Sequence, residues 1–298
     1  MSVALVTASY RGDLERFALL CESIDARVLG HTRHLVLVED ADLALFRPFA
    51  GPKREIVAES DLLPRWLRVF PDPTNFGRRR IWLSPFGPPL RGWHVQQLRR
   101  IAIGAALSED VMVTLDSDAV VVRDFDAGLF EAGGVTEFYR IPRGLPAHDP
   151  VLDKHRSWSR LAGRILGIAG PDVTETDYIS SLAAWRTQSV RAMTARIEAV
   201  TGRSWARTLA GTRAISEYTI YGRFVEEVEG RPDLHRATDL KRCSTLWSGE
   251  ALDEASLGAF MRALGPDQVA IGIQSFLGTD LALIRRAAGL DRDRRTAA

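Results

Sequence analysis

The sequence has little cysteine, no long apolar run and almost no net charge, and each absence excludes a class of protein. Cys21 and Cys243 are the only cysteines in 298 residues. They are too few and too far apart for a zinc site or a disulfide framework, so we expect buried free thiols. No apolar stretch is long enough to span a bilayer. Residues 1–7 lack the basic start of a signal peptide, so a cytoplasmic protein is the simplest expectation.

The charge balance excludes strong long-range attraction to polyanions. Lys and Arg number 39 against 38 Asp and Glu, which leaves a formal net charge of +1. We therefore expect no nucleic-acid partner, and any anion must be bound locally. The chain also lacks the GxGxxG, GxxxxGK[ST], HExxH and GxSxG patterns. Dinucleotide dehydrogenases, P-loop ATPases, zinc proteases and serine hydrolases of those types lose their main support.

What the chain does contain is an alternation of strand and helix patterns. Apolar, β-branched runs predict strands over 3–8, 34–38, 55–58 and 111–115. Helical spacing of apolar residues predicts helices over 14–28 and 93–107, and the second of these carries Gln97 and Arg100 on its outer face. A βαβαβ start of this kind predicts an α/β fold, with a mostly parallel Rossmann-type sheet flanked by helices.

The second half is less regular. Its patterns predict strands near 135–141, 179–185 and 269–273, and helices over 154–166, 188–200, 215–225 and 277–290. Segment 63–92, rich in Pro, Gly, Arg and Trp, shows no sustained period and is predicted to be irregular. Without repeats or linkers, residues 1–290 are expected to form one merged domain with halves at 1–130 and 131–290. The charged tail 291–298 is expected to be disordered.

The strand Val111–Leu115 delivers two carboxylates to its carboxyl end, in Asp116-Ser117-Asp118. Side chains two apart on a strand point to the same face, so both carboxylates could reach one ligand, and the residue types predict that the chain turns there. The carboxyl end of a parallel strand is where open α/β sheets bind ligands. Two hard oxygen donors at that place suit Mg²⁺ or Mn²⁺, and such a cation suits a diphosphate. Asp and Ser are also common turn residues, so the triplet alone is equally explained by a turn.

Other polar residues follow the predicted strands and belong to the same expected cleft. The ends of neighbouring parallel strands converge on one edge, so side chains distant in sequence can line one site. An aromatic ring, a carboxylate for ribose hydroxyls and a metal-bound diphosphate together indicate nucleotide recognition. The candidate donor-binding residues are Thr7, Tyr10, Arg11, Asp40, Gln97, Arg100 and Asp116.

Two carboxylates in the second half are candidates for the chemistry itself. Glu217 lies among apolar and aromatic residues at the start of a predicted helix, and Asp177 precedes an apolar segment. Each is equally explained as part of a helix cap, with Ser216 as the capping residue next to Glu217.

Taken in order, these segments resemble the GT-A class of nucleotide-sugar glycosyltransferases and, within it, a group of uncharacterised bacterial glycosyltransferase-like proteins. The resemblance extends from Val3 to about Ser275. It rests on the segments VTASYRGDLERFALLCESID, LVLVEDADLALFRPF, RGWHVQQLRRIA, VTLDSDAVVVRDFD, DYISSLAAWR and SEYTIYG.

The resemblance implies a GT-A-like fold that moves a sugar from a UDP- or GDP-linked donor to an acceptor hydroxyl, with Mn²⁺ or Mg²⁺ held by Asp116 and Asp118. It implies that Thr7, Tyr10 and Arg11 surround the base and phosphates. Glu217 would lie near the reacting carbon or the acceptor hydroxyl. Many members add a late histidine to the metal, whereas the predicted last strand here has none. The acceptor and the oligomeric state are left open.

Two other functions fit the same motif. Asp116-Ser117-Asp118-Ala119-Val120 also matches the nucleophile motif of haloacid-dehalogenase-type phosphatases, in which Asp116 would attack phosphorus and Asp118 would act as acid and base. That motif usually opens the fold on its first strand, whereas three strand patterns precede it here. A non-catalytic protein that binds nucleotide sugars is the second alternative.

Overall fold

The computed structural model describes residues 1–77, 79–145 and 152–290. The strands are β1 Val3–Ala8, β2 Val28–Leu29, β3 Arg33–Val38, β4 Arg54–Ala58, β5 Arg68–Pro71, β6 Arg80–Leu83, β7 Leu90–Arg91, β8 Val111–Leu115, β9 Ala119–Val121, β10 Phe125–Asp126, β11 Glu131–Ala132, β12 Val135–Tyr139, β13 Leu182–Arg186, β14 His235–Thr238, β15 Cys243–Leu246 and β16 Ala270–Ile273. The helices are α1 Leu14–Arg27, α2 Leu43–Phe46, α3 Glu59–Leu62, α4 Gly92–Ala106, α5 Leu152–Leu166, α6 Thr187–Thr201, α7 Trp205–Ala210, α8 Glu217–Phe224, α9 Glu254–Arg262 and α10 Leu281–Ala287. A π-helical turn, Val225–Glu229, follows α8.

The central sheet has the strand order β13-β8-β1-β3-β4. The strands β8, β1, β3 and β4 are parallel, whereas β13 runs antiparallel to β8. Every residue of β1 and β8 is buried, because helices cover both faces of the sheet. The predicted α/β fold with a mostly parallel sheet is confirmed at this level.

Alternation along β1 divides the apolar core between two layers. Val3 and Leu5 pack with the buried face of α1, which includes Phe17 and Ile24. The intervening residues Ala4 and Val6 pack on the other side with residues of α4, α5, α6 and α8. A third apolar cluster joins α1, α9 and α10 to β9 and β16.

Segment 63–92 is not irregular, contrary to the prediction. It forms a three-stranded antiparallel sheet, β5-β6-β7, beside the central sheet. Pro and Gly occupy its turns, so the apolar alternation within each short strand is interrupted too often to show a sustained period. Only its inner residues, above all Trp82 and Leu90, are fully buried.

The second half contains more structure than the sequence patterns indicated. The helices α7 and α9 and the strands β14 and β15 were not predicted, and the last helix is shorter than expected because a 3₁₀ turn, Ser275–Leu277, precedes α10. These elements are short and only partly buried, so their apolar periodicity is weak. The predicted tail 291–298 lies outside the described residues, and the division into halves at residue 130 stays a prediction.

No helix in the described part of the chain is long and apolar enough to cross a membrane. Within the same residues Cys21 and Cys243 are buried free thiols, as predicted.

Candidate functional site

The candidate cleft lies at the carboxyl edge of the central sheet, between β1 and β8. The chain leaves β1 toward β3 on one side, while β8 lies on the other side, so strand order reverses between these two strands. Open α/β sheets bind ligands at such a switch point. After β8 the backbone turns, and the amide of Ala119 donates to the carbonyl of Asp116 at 3.1 Å. The turn predicted for the Asp116-Ser117-Asp118 triplet is therefore present.

Arg100 joins the two halves of the chain beneath this turn. Its guanidinium pairs with the Asp116 carboxylate and donates from Nη1 to Glu217 Oε1 at 2.8 Å. Arg100 and Glu217 are 4% and 3% exposed, whereas the Asp116 side chain retains 21% of its exposure. One buried cation thus holds a carboxylate of β8 and a carboxylate of α8 in fixed positions.

The start of α8 is fixed by further hydrogen bonds. The Glu217 amide donates to Gln97 Oε1 at 3.0 Å, and Ser216 Oγ caps the helix by accepting from the Thr219 amide at 3.3 Å. The Tyr218 hydroxyl lies 3.0 Å from Thr114 Oγ1 of β8. The capping role considered for Ser216 is therefore real, and it places Glu217 under the cleft.

The charges in this group stabilise one another despite burial. Burial alone would lower the pKa of Arg100, but the surrounding acidic groups, Asp116 and Glu217 among them, raise it instead. Burial also raises the pKa of Glu217, although Arg100 opposes this shift. Arg100 is accordingly protonated at any pH at which the protein is folded.

A second group of carboxylates beside the turn has no such cation. Burial raises the pKa of Asp118 to about 7, with repulsion from Asp116 and Asp13 as further causes. Burial also raises the pKa of Asp13, even though Ser117 Oγ donates to its Oδ2 at 2.9 Å. The other oxygen of Asp13 is buried and has no hydrogen-bond partner within 3.5 Å among the described residues, although Ser275 lies close enough to oppose the rise in its pKa. Arg16 is nearby, but its guanidinium is bound to the carbonyls of Ile273 and Thr279.

Tyr10 is the aromatic ring at this edge. It is 48% exposed, and Asp13 and Asp118 lie close enough to raise its pKa further after burial has done so. The ring lies over Gly12, where an added Cβ would come within 2.5 Å of it. A glycine two residues after Tyr10 therefore allows the ring to fold back beside the aspartates.

Three predicted donor-binding residues are bound elsewhere. Thr7 is fully buried, and its Oγ1 lies 3.0 Å from Nε2 of the buried His34. Arg11 donates from its amide and Nε to Asp42, at 2.9 and 2.7 Å. Asp40 is exposed at the end of β3 and accepts from the Ser60 amide at 3.2 Å. These contacts fix the β1–β3–β4 side of the edge, and the structure does not bring these side chains to Asp116.

Asp177 lies on the β13 side of the same edge. Its backbone pairs with that of Ile141, and its Oδ1 accepts from the Ile179 amide at 2.9 Å. The chain then reaches Ser181, whose carbonyl accepts from the Asp116 amide at 3.2 Å. Asp177 is partly buried, and this burial raises its pKa. The side chain of Asp177 is accessible enough to reach a ligand, whereas that of Glu217 is not.

The cleft contains a limited set of side chains that could ligate the predicted metal ion. Over residues 1–77, 79–145 and 152–290, no group of three or more His, Cys, Asp and Glu side chains is arranged to hold a metal ion. Mg²⁺, however, commonly takes one or two protein carboxylates and completes its shell with phosphate and water oxygens. Asp118, without an ion pair, and the unpartnered oxygen of Asp13 are donors of that kind. The residues present therefore fit a cation that a diphosphate helps to bind.

Sequence reasoning missed Asp13 and misplaced the polar face of α4. Asp13 precedes a helix and reads as an N-cap, yet its side chain makes no capping bond and points to Ser117 instead. Gln97 and Arg100 were expected on the outer face of the helix, but both are buried, as is Arg99, which donates to Glu59 at 2.8 Å. No local signal marks these burials, because the polar face of an amphipathic helix is wide enough for both arginines.

The family model DUF6492, described as a family of unknown function, matches residues 1–286. No curated protein matches the chain.

Proposed function

Since the chain belongs to DUF6492, a family of unknown function, we propose its activity from the cleft itself. The activity is the transfer of a sugar from a UDP- or GDP-linked donor to an acceptor hydroxyl, by an enzyme of GT-A type assisted by Mn²⁺ or Mg²⁺. The observation that carries the proposal is Arg100, which ties Asp116 of the DxD turn to Glu217 of the second half at the switch point between β1 and β8.

The donor half of the cleft supplies three functions. Asp118, together with Asp13, would hold the divalent cation, and Asp116 would be kept in place by Arg100 to contact the cation or the ribose. The exposed ring of Tyr10 is suited to stack on a base. A cation bound there would offset the negative charge that builds on the departing diphosphate.

The acceptor half divides the roles of its two carboxylates. Glu217 is a positioning residue, because it is buried and its Oε1 is bound by Arg100. Asp177 is the better candidate for a base that takes the proton of the acceptor hydroxyl. It is partly exposed, one of its oxygens is fixed by the Ile179 amide, and its pKa is raised by burial toward the value that suits a base.

A thermal-shift experiment tests the donor assignment. We expect UDP or GDP with Mn²⁺ to raise Tm by several degrees, since a ligand at a hundred times its Kd adds about 2.7 kcal/mol to stability. Asp118→Asn should abolish the part of the shift that requires Mn²⁺. The matched control is Asp110→Asn, at the opposite end of the same strand, where the carboxylate accepts from the Ser2 amide at 2.9 Å.

Three results would contradict the proposal. An unchanged Mn²⁺-dependent shift in Asp118→Asn would remove the metal assignment. Trapping of an aspartyl phosphate at Asp116 would identify a phosphatase. Tight nucleotide binding without donor hydrolysis or transfer, over a broad acceptor panel, would identify a protein that only binds nucleotide sugars.

A further inference from the structure

The outer face of the β5-β6-β7 sheet is apolar and basic, and most of its side chains are exposed. Cross-strand pairing puts Arg68 opposite Leu83, Phe70 opposite Ile81, and Ile81 opposite Arg91, so these five residues share one face. Phe70 and Leu83 are 43% and 40% exposed, and both arginines are exposed as well. Trp82 and Leu90 alternate with them and point into the core.

The turn between β5 and β6 adds a protruding aromatic ring. Phe76 is 95% exposed and has a φ of 58°, a left-handed conformation that is uncommon for a bulky residue. The turn is held by Asp72, whose Oδ1 accepts from the amide and the hydroxyl of Thr74 at 2.9 and 2.7 Å. The ring is thus presented to solvent by an ordered turn. Hydration of such a ring is unfavourable unless a partner covers it.

The charge of this region differs from that of the whole chain. Segment 63–92 has six arginines and one acidic residue, whereas the whole chain has a net charge of +1. That single acidic residue, Asp72, is buried in the turn. Arg65, Arg68, Arg79 and Arg91 are exposed and form no ion pair within the described residues. A surface of this kind suits a partner that has both negative charge and apolar surface.

We propose that the outer face of the β5-β6-β7 sheet, with Phe76 at its tip, binds the surface of an anionic lipid bilayer. Headgroup phosphates would pair with the exposed arginines, while Phe70, Leu83 and Phe76 would enter the boundary between headgroups and acyl chains. A second copy of the chain suits this face less well, because two such faces would bring their arginines together. A soluble anionic polymer would leave the apolar residues exposed to water.

The proposed membrane face lies beside the candidate cleft. Strand β7 leads directly into α4, which carries Arg100, and Arg79 is close enough to Tyr10 to lower the pKa of its hydroxyl group in opposition to burial. A bilayer bound here would lie next to the cleft opening. The binding itself does not depend on the proposed transferase activity, so the two proposals can fail separately.

Vesicle sedimentation tests the proposal on the full chain. The probes are vesicles of phosphatidylcholine alone and vesicles of equal parts phosphatidylcholine and phosphatidylglycerol. We expect binding to the anionic vesicles only, and weaker binding at high salt. Phe76→Ser should weaken it about tenfold, as expected for one buried aromatic side chain. Arg68→Glu combined with Arg91→Glu should weaken it at least about 25-fold, at about fivefold for each arginine.

Matched variants outside segment 63–92 control for general effects. Phe276→Ser removes a ring that is 73% exposed beside α10, and Arg262→Glu reverses an exposed charge on α9. Both should bind vesicles like the unmodified protein, and circular dichroism checks that every variant is folded. Equal binding to both vesicle types, or equal losses in the control variants, would overturn the proposal. Dimerisation that Phe76→Ser abolishes would also overturn it. A soluble polyanion that binds as tightly as the anionic vesicles, with the same affinity for the Phe76→Ser variant, would overturn it as well.

Discussion

The carboxylates at the two ends of strand β8 differ in the partners that they find. At the amino edge, Glu109 accepts from Nε and Nη2 of Arg33 at 2.7 and 2.9 Å and from the hydroxyl of Thr32 at 3.0 Å. These hydrogen bonds, the one from Arg33 foremost, lower the pKa of Glu109 to about 2. Asp110 next to it accepts from the amide of Ser2 at 2.9 Å. The acidic groups of this edge are therefore supplied with donors.

At the carboxyl end of β8, Asp116 and Glu217 share one cation, Arg100. Asp118, Asp13 and Asp177 are each partly buried, and burial raises the pKa of each one. Ionised carboxylates that are partly buried and lack a cation reduce the free energy of unfolding. The carboxylates at the amino end therefore stabilise the sheet. The three partly buried ones at the carboxyl end lack a cation, and a ligand that supplies one is the best explanation.

The largest effect should come from removing Arg100, the cation that Asp116 and Glu217 share. Arg100→Met leaves two carboxylates beneath the cleft without a partner, so we expect a loss of about 3–5 kcal/mol in the free energy of unfolding. Urea unfolding followed by circular dichroism measures it. Adding Glu217→Gln to Arg100→Met should restore part of the loss, since it removes one of the two uncompensated charges. If Arg100→Met left the free energy of unfolding unchanged, the shared cation would not stabilise this end of the strand.

At the amino edge the expected effect is smaller and depends on pH. The folded pKa of Glu109 lies below the ordinary value of 4.5, so its contribution is complete above about pH 5 and is lost as pH falls toward 2. Glu109→Gln should therefore cost about 1–2 kcal/mol at pH 7, and the difference from the unmodified protein should shrink by pH 3. Urea unfolding at both pH values measures this.

The control for this edge is Glu55→Gln, because Glu55 contacts the same Arg33 at 3.2 Å from an exposed position. Exposed pairs contribute little, so this variant should stay within about 0.5 kcal/mol of the unmodified protein at either pH. A Glu109→Gln difference that is the same at pH 3 and pH 7 would show that the ionised carboxylate is not what stabilises the amino edge.

The sequence predicted the parallel strands of the sheet and the turn after β8, because long apolar runs and turn residues are local signals. It did not predict which edge residues find partners. Arg100 reads as a solvated charge, as most arginines are, until Glu217 comes next to it from 117 positions along the chain. Likewise Asp13 reads as a helix cap until Ser117 is placed beside it. These pairings follow from the tertiary structure, and a single sequence does not reveal them.

The smallest effect should have the opposite sign. Because the folded pKa of Asp118 is raised to about 7 from an ordinary value of 3.8, its ionisation opposes folding, and stability is lost as pH rises from about 4 to about 7. In metal-free protein, Asp118→Asn should therefore gain about 1 kcal/mol at pH 8 and nothing at pH 4, whereas Asp110→Asn should lose stability at pH 8. Thermal unfolding in the presence of a chelator measures both variants. If both lost stability equally, the two ends of β8 would not differ, and the carboxylates of the cleft would be ordinary parts of the fold.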